Sequence, residues 1–213
     1  MKVAILGSGV VGEALASGFL KHGHAAMRAS REPQKLAAWK AAAKGQAAVG
    51  TFAEAAAWGE LVVLAVKGLA AEAALDQAGV ANLAGKTVID TTNPIADAPP
   101  QNGVIVYFTG ANESLMERLQ RKAPDAHLVK AFNSVGSAFM VDPQFASTPT
   151  MFICGNHAGA KQQTTEILAS FGWESCDMGG VEAARPIEAL CQLWCIPGFL
   201  RNDWAHAFKL LTK

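Results

Sequence analysis

No charge of one sign dominates this sequence. Its 18 lysines and arginines cancel its 18 aspartates and glutamates over 213 residues, so no field exists to gather DNA, RNA or an anionic membrane, and no nucleic-acid partner is expected. Charged residues are scarce at 17% while apolar ones reach 51%, the reverse of the balance that leaves a chain disordered. No apolar run approaches the ~20 residues of a bilayer crossing. The longest charge-free stretch near the end, Ala189 to Leu200, is interrupted by Pro197 and Gly198. Met1-Lys2-Val3-Ala4-Ile5-Leu6 runs straight into Gly7, without the apolar stretch and cleavage site of a secretory signal. The four cysteines, Cys154, Cys176, Cys191 and Cys195, contain no CxxC pair. A chain of this length buries roughly 70% of its unfolded surface and needs no disulfide staples. These absences predict a cytoplasmic protein without membrane partner or metal. Cys191 and Cys195 stand four apart and would share a helix face; they are read as reduced thiols packed beside Leu190, Leu193 and Trp194.

What is present is alternation. Val3 to Leu6 is an unbroken apolar run, the mark of a strand covered on both faces, and Val10 to Lys21 follows at helical spacing. Ala25 to Ala29 resumes extended character; Pro33 suits a first helical turn, Leu36 to Trp39 carry that helix, and Gly45 is expected to end it. Further strands are predicted at Leu61 to Val66, Thr87 to Asp90, His127 to Phe132 and Met151 to Cys154. Helices are predicted at Leu69 to Ala78, Ser114 to Ala123 and Ala158 to Phe171. The fold class is therefore α/β, a doubly wound parallel sheet with right-handed crossovers. Pro143 to Pro149 is the only hinge candidate, so residues 1–148 are expected to form the main domain and 149–213 a small C-terminal lobe.

Gly7-Ser8-Gly9-Val10-Val11-Gly12 matches GxGxxG and gains meaning by following a strand and opening a helix. Gly7 permits a tight turn, Gly9 lets a pyrophosphate approach the backbone, and Gly12 lets helix and strand pack closely, while the helix N-terminus offers free N–H donors. At the end of the second strand an NAD site carries an acid for the ribose 2′-hydroxyl. Here the strand ends Ala29-Ser30-Arg31, with Lys35 four residues later, a hydroxyl and two cations suited to the 2′-phosphate of NADP. Glu32 argues against this, and Arg31-Glu32 could also be a solvated surface pair. Ligands of open parallel sheets bind beyond the carboxyl ends of the strands, which adds Ala65, Val66 and Lys67, then Thr92, Asn93 and Pro94, then Asn133. The amides of Asn93 and Asn133 could bind ribose or carboxamide, or belong to ordinary turns. Lys130 is read as mid-strand structure.

No acid or base announces itself. The five histidines, His22, His24, His127, His157 and His206, fall at a helix end, in turns and in the tail, and the single tyrosine, Tyr107, has no YxxxK partner. Reduction of a carbonyl needs a positioned proton donor, whereas hydride exchange between two flat cofactors needs only aligned rings. The late run Leu190 to Phe199 is read as packing or dimer contact, or as a wall for such a ring.

The runs GSGVVGEALASGFLKHGH, SREPQK, VIDTTNP, VKAFNSVG and FGWESCDMGGVEAARPIEAL together resemble the F420-dependent NADP oxidoreductase family and its bacterial relatives over nearly the whole chain. The resemblance implies a Rossmann domain with a small C-terminal lobe, a homodimer, and hydride transfer between NADP and reduced deazaflavin F420. It places the family's phosphate-binding serine, arginine and lysine on Ser30, Arg31 and Lys35, and its glycine-loop hydroxyl on Ser8. The same fold serves as the soluble reductase part of membrane ferric reductases, where it passes hydride to a flavin. The expected function is thus an NADP-dependent oxidoreductase acting with a small redox molecule such as F420 or a flavin. The alternatives are an NADPH-dependent reductase of a small imine or carbonyl compound, and a non-catalytic sensor of NADP redox state.

Overall fold

A computed structural model describes residues 1–213. Val3 to Leu6 are fully buried, with Val3 and Ile5 entering one hydrophobic cluster and Ala4 and Leu6 the other. A strand buried on both faces needs an unbroken apolar run rather than alternation, which is what this segment has. The strands β1 (Lys2–Leu6), β2 (Ala25–Ala29), β3 (Ala47–Gly50), β4 (Leu61–Leu64), β5 (Thr87–Asp90) and β6 (His127–Lys130) form one sheet in the order β3-β2-β1-β4-β5-β6. All of its pairings are parallel. Leu6 stands opposite both Ala29 and Leu64, Leu64 opposite Asp90, and Asp90 opposite Lys130. The strands therefore end in one row, and the residues that follow them share one edge. The strand order reverses between β1 and β4, which opens a crevice at the middle of that edge.

Helices cover both faces. Helix α1 (Val10–Lys21) packs Leu15, Ala16 and Phe19 on one side, where Trp39 of α2 (Ala37–Ala42) joins them. Helices α3 (Phe52–Trp58), α4 (Ala71–Ala78) and α5 (Leu115–Lys122) cover the other. Thr51 and Ser114 start α3 and α5 with capping boxes to Glu54 and Glu117, which satisfy first-turn N–H groups. A second, two-stranded parallel sheet, β7 (Thr150–Ile153) and β8 (Glu174–Asp177), is linked by α6 (Ala158–Ser170) and joins the edge of β6 where Lys130 N–H donates to Cys154 O at 3.0 Å. Helix α7 (Ala184–Arg201) buries Ile187, Glu188, Cys191 and Trp194. The chain beyond it runs along β7, where Thr150 N–H donates to Phe208 O at 2.9 Å. Residues after 149 contribute to both hydrophobic clusters of the six-stranded sheet, through Met151 and Ile167 on one face and Cys154 and Ile187 on the other.

Some local expectations are revised. The helix after β2 begins as a 3-10 turn over Pro33–Leu36 and stops at Ala42, so Gly45, at φ +99°, shapes the turn into β3 instead of capping the helix. The strand expected over Leu61 to Val66 ends at Leu64, which releases Ala65 and Val66 to the crevice. Pro197 and Gly198 do not break α7. The Trp204 ring lies against Gly198 where a Cβ would stand, at 2.3 Å, and left-handed Asn202 closes the helix. No helix is long and apolar enough to cross a membrane.

Candidate functional site

Two cavities lie along the carboxyl edge of the sheet and share Gly9, Ala65, Val66 and Lys67. The first, about 410 Å³, is lined by Ser8, Ser30, Arg31, Glu32 and Lys35 together with Phe52 and the small residues of α4. The second, about 540 Å³, extends over β4 and β5 to Val10, Val11, Leu69, Thr91, Thr92, Asn93, Ile95 and Asp97. The sheet register explains the convergence, because Gly7, Ser30, Ala65 and Thr91 each follow a strand end of the same row.

The glycines have separable roles. A Cβ on Gly7 would stand 2.1 Å from Ala65 O, and one on Gly12 would stand 2.5 Å from Gly7 O, so these two let loop, strand and helix close up. A Cβ on Gly9 would meet no atom of the protein within 4 Å and would project into the cradle that both cavities share. A bare backbone facing open space at a helix N-terminus fits a pyrophosphate, and the residues present thus fit a dinucleotide. Lys67, exposed at the junction of the two cavities, makes no ion pair.

Beneath the loop lies a residue the sequence reading passed over. Arg28 in β2 is buried, and its guanidinium donates to Ser8 O at 3.0 Å, Gly9 O at 3.3 Å and Glu13 at 3.2 Å while stacking on Trp39 at 4.9 Å. Burial lowers its pKa and Glu13 opposes that; an arginine stays charged regardless. It thereby ties two carbonyls of the glycine loop to the strand below. An arginine inside an apolar strand, Ala-Ala-Met-Arg-Ala, was the available signal, since a buried charge requires a partner.

At the end of β2, Ser30 is buried and its hydroxyl accepts from Glu32 N–H at 3.2 Å. Arg31 is exposed on the cavity rim with no ion pair, whereas Lys35 Nζ lies 2.7 Å from Glu32 Oε1. Glu32 therefore neutralises Lys35 and leaves Arg31 free.

Across the crevice, Thr92 and Asn93 line the second cavity, while Pro94 and Asn133 line neither and stand behind them. Asn93 Nδ2 donates to Asn133 O at 2.8 Å, and Asn133 Nδ2 donates to Asn93 Oδ1 at 3.1 Å and Ile187 O at 2.9 Å. None of the five histidines lines either cavity. His127 and His157 stack on each other 3.7 Å apart, His22 meets Asp142, and His206 meets Trp194. The late aromatic run packs within the chain: Trp194, Cys191, Cys195 and Ile105 cluster, with Trp194 5.5 Å from Trp204, and Trp194 reaches neither cavity. The Cys191 and Cys195 sulfurs lie 3.9 Å apart on one helix face.

A six-stranded parallel sheet of this order, with a glycine loop at its reversal point, defines a dinucleotide-binding protein of the Rossmann class. Residues 2–94 match the family model for NADP oxidoreductase, coenzyme F420-dependent. A crystallised protein of Arthrobacter sp. FB24, assigned as an F420-dependent NADP reductase, is 32% identical and superposes with a TM-score of 0.92 over 100% of both chains. The chain belongs to the F420-dependent NADP oxidoreductase family, and it is an NADP-dependent oxidoreductase. Metalloreductase STEAP3 of Rattus norvegicus is 29% identical over 204 residues, which cover 93% of this chain but 39% of that protein. The chain thus spans well under half the length of this curated relative. An imine reductase from Bacillus cereus shares the fold at 19% identity, with a TM-score of 0.67 over 90% of this chain and 59% of its own.

Proposed function

We propose that the protein transfers hydride between NADP(H) and a flat redox cofactor such as F420 or a flavin. In this reading Gly7 to Gly12 take the pyrophosphate, Ser30, Arg31 and Lys35 the 2′-phosphate, and Ala65 to Lys67 with Thr92 and Asn93 the ribose and nicotinamide end. Asn133 acts from behind by holding Asn93, with Pro94 next to it in the chain. NADPH supplies the hydride; the chain's own part is to orient, exclude water and present an apolar face.

The observation that carries the reading is the rim of the second cavity. Val10, Leu69 and Ile95 stand there 72%, 58% and 37% exposed, around a crevice whose only charged side chains are Lys67 and Asp97. Exposed apolar side chains grouped at a cavity mouth mark a binding surface, and they match the face of a planar ring better than a small polar carbonyl compound. The absence of a histidine from the lining agrees with a transfer that depends on distance and alignment rather than on a titrating group. The F420 named for the Arthrobacter protein and the metalloreductase name of STEAP3 support a redox partner of this class. We further propose a cytoplasmic homodimer in which residues 149–213 form a C-terminal lobe, with the exposed Leu193, Phe199 and Leu200 of α7 available to a second copy.

NADPH oxidation assayed against F420, FMN, FAD and a panel of imines and carbonyl compounds tests this. Turnover with F420 or a flavin is expected. Turnover with the imine or carbonyl panel alone would overturn the reading, and tight NADPH binding with no turnover of any kind would make the protein a sensor.

A further inference from the structure

The wall of the second cavity is fixed by charges that never reach it. Lys130, in the middle of β6, is fully buried, with Nζ 2.6 Å from Asp90 Oδ2 and 2.9 Å from Glu188 Oε1. Its third contact is Thr92 O, at 2.8 Å. Asp90 Oδ1 accepts from both the N–H and the hydroxyl of the same threonine, at 2.9 and 2.7 Å. Every hydrogen-bonding group of Thr92 is thereby held by one buried ion pair, and Thr92 lines the cavity.

Glu188 carries the connection outward. Besides Lys130 it accepts from the first N–H groups of α5, Leu115 at 2.9 Å and Met116 at 3.0 Å, and its own carbonyl accepts from the Tyr107 hydroxyl at 2.6 Å. One residue earlier on α7, Ile187 O accepts from Asn133, which also holds Asn93. Two consecutive residues of α7 therefore fix two consecutive residues of the cavity wall, one through Lys130 and one through Asn133. The lone positive charge among two carboxylates leaves one negative charge in excess, which the α5 N-terminus faces. Burial lowers the Lys130 pKa, but Asp90 and then Glu188 outweigh it and hold the ammonium protonated above its ordinary value.

Stability alone does not account for such a group. Charges taken out of water are costly, and apolar side chains of similar volume in their place are often neutral or stabilising. What an ammonium does that a methyl group cannot is fix a carbonyl in direction. We propose that Lys130 is a positioning residue for hydride transfer: with Asp90 and Glu188 it sets the orientation of the Thr92–Asn93 wall and so the placement of the nicotinamide ring, under the control of α7. This rests on the reading that the second cavity takes the nicotinamide end.

The test compares two ligands that differ in whether they reach the wall. In Lys130→Met, affinity for 2′,5′-ADP, which carries the adenine and 2′-phosphate but no nicotinamide, should stay within about twofold of wild type. The fluorescence change of the reduced nicotinamide on binding NADPH should fall clearly, and kcat for NADPH oxidation should drop at least tenfold with KM for NADPH within about threefold. A folded variant with wild-type nicotinamide fluorescence overturns the proposal. So does a parallel loss of 2′,5′-ADP affinity, which would mean general damage to the domain. Should Lys130→Met fail to fold, Glu188→Gln keeps the side-chain shape, weakens the same triad and carries the same comparison in the same direction. Failure of the functional reading is separable from both. Wild-type protein that perturbs nicotinamide fluorescence yet turns over NADPH with none of the acceptors would sink the acceptor assignment alone, with the fluorescence arm still deciding on Lys130. Wild-type protein that binds 2′,5′-ADP but leaves nicotinamide fluorescence untouched would overturn both.

Discussion

The Lys35 ammonium lies 2.7 Å from the Glu32 carboxylate, three residues before it, on the turn that carries Arg31. Both side chains are more than half exposed, so the pair holds together with about 0–1 kcal/mol and opens readily for a competing anion. Glu32→Gln should free Lys35 for the 2′-phosphate and lower the NADPH Kd by up to about fivefold while leaving NADH unchanged. Fluorescence titration with each cofactor checks this; an unchanged or weaker NADPH affinity would show that Lys35 takes no part.

Arg31 has no such competitor. Arg31→Ala should weaken NADPH binding by about 1.5–3 kcal/mol, the worth of a charge-assisted contact, and barely touch NADH. Equal losses for the two cofactors would remove Arg31 from the 2′-phosphate site.

Arg28 predicts the opposite pattern. It supports the glycine loop through Ser8 O and Gly9 O, the part that on the proposed function both cofactors would use equally. Arg28→Met should weaken NADPH and NADH by the same factor, at least about tenfold, given the cost of leaving buried carbonyls unpartnered. A selective loss of NADPH would place Arg28 in the 2′-phosphate site instead.

The glycine loop separates folding from binding. Gly9→Val adds a side chain where no protein atom lies within 4 Å, so the protein should fold normally and lose dinucleotide affinity. Gly7→Val, whose Cβ would meet Ala65 O at 2.1 Å, should lower Tm as well. Thermal unfolding with and without NADPH distinguishes the two, and normal NADPH affinity in Gly9→Val would mean that the phosphates bind elsewhere.

An ion pair remote from both cavities controls acid stability. The Arg185 guanidinium donates to Glu117 at 3.0 and 2.5 Å and, with the Ser114 N–H and hydroxyl, holds the Glu117 carboxyl down to about 2. A carboxyl whose folded pKa is depressed stabilises the fold above its unfolded pKa and loses that contribution as pH falls toward the folded value. With Arg185 partly solvated, Arg185→Met should lower stability at pH 7. The gap from wild type should narrow from pH 7 to pH 3 in urea unfolding; a gap independent of pH would mean that the loss is one of packing.

How far the sequence speaks for itself differs between these parts. β1, α1, α5 and α6 are legible because an apolar run, a glycine loop or a serine cap leaves a strong local pattern, and the residues at strand ends follow from topology. β3 and β8 leave almost none. Ala-Ala-Val-Gly in β3 is strand by virtue of pairing with β2, and Glu-Ser-Cys-Asp in β8 by pairing with β7, so tertiary partners outweigh weak propensity. Lys130 is recognisable as mid-strand, but its bond to Thr92 is not, because Asp90, Glu188 and Lys130 are far apart in sequence and meet only when β5, β6 and α7 pack. Trp194 illustrates the converse: its helical spacing is visible, and only the folded tail, with Trp204 and His206 against it, shows what it touches.

The turn from Arg31 to Lys35 lies outside both hydrophobic clusters, and its charged side chains face solvent. Substitutions at such positions usually shift stability by no more than about 0.5 kcal/mol, so a preference for one dinucleotide over the other can be rewritten there without endangering the fold. The opposite wall, anchored to Lys130, Asp90 and Glu188, has no such latitude, because any one change strands a charge in the interior. On the proposed function, selection can therefore retune the choice of electron carrier at that turn, while the proposed nicotinamide wall is held in place.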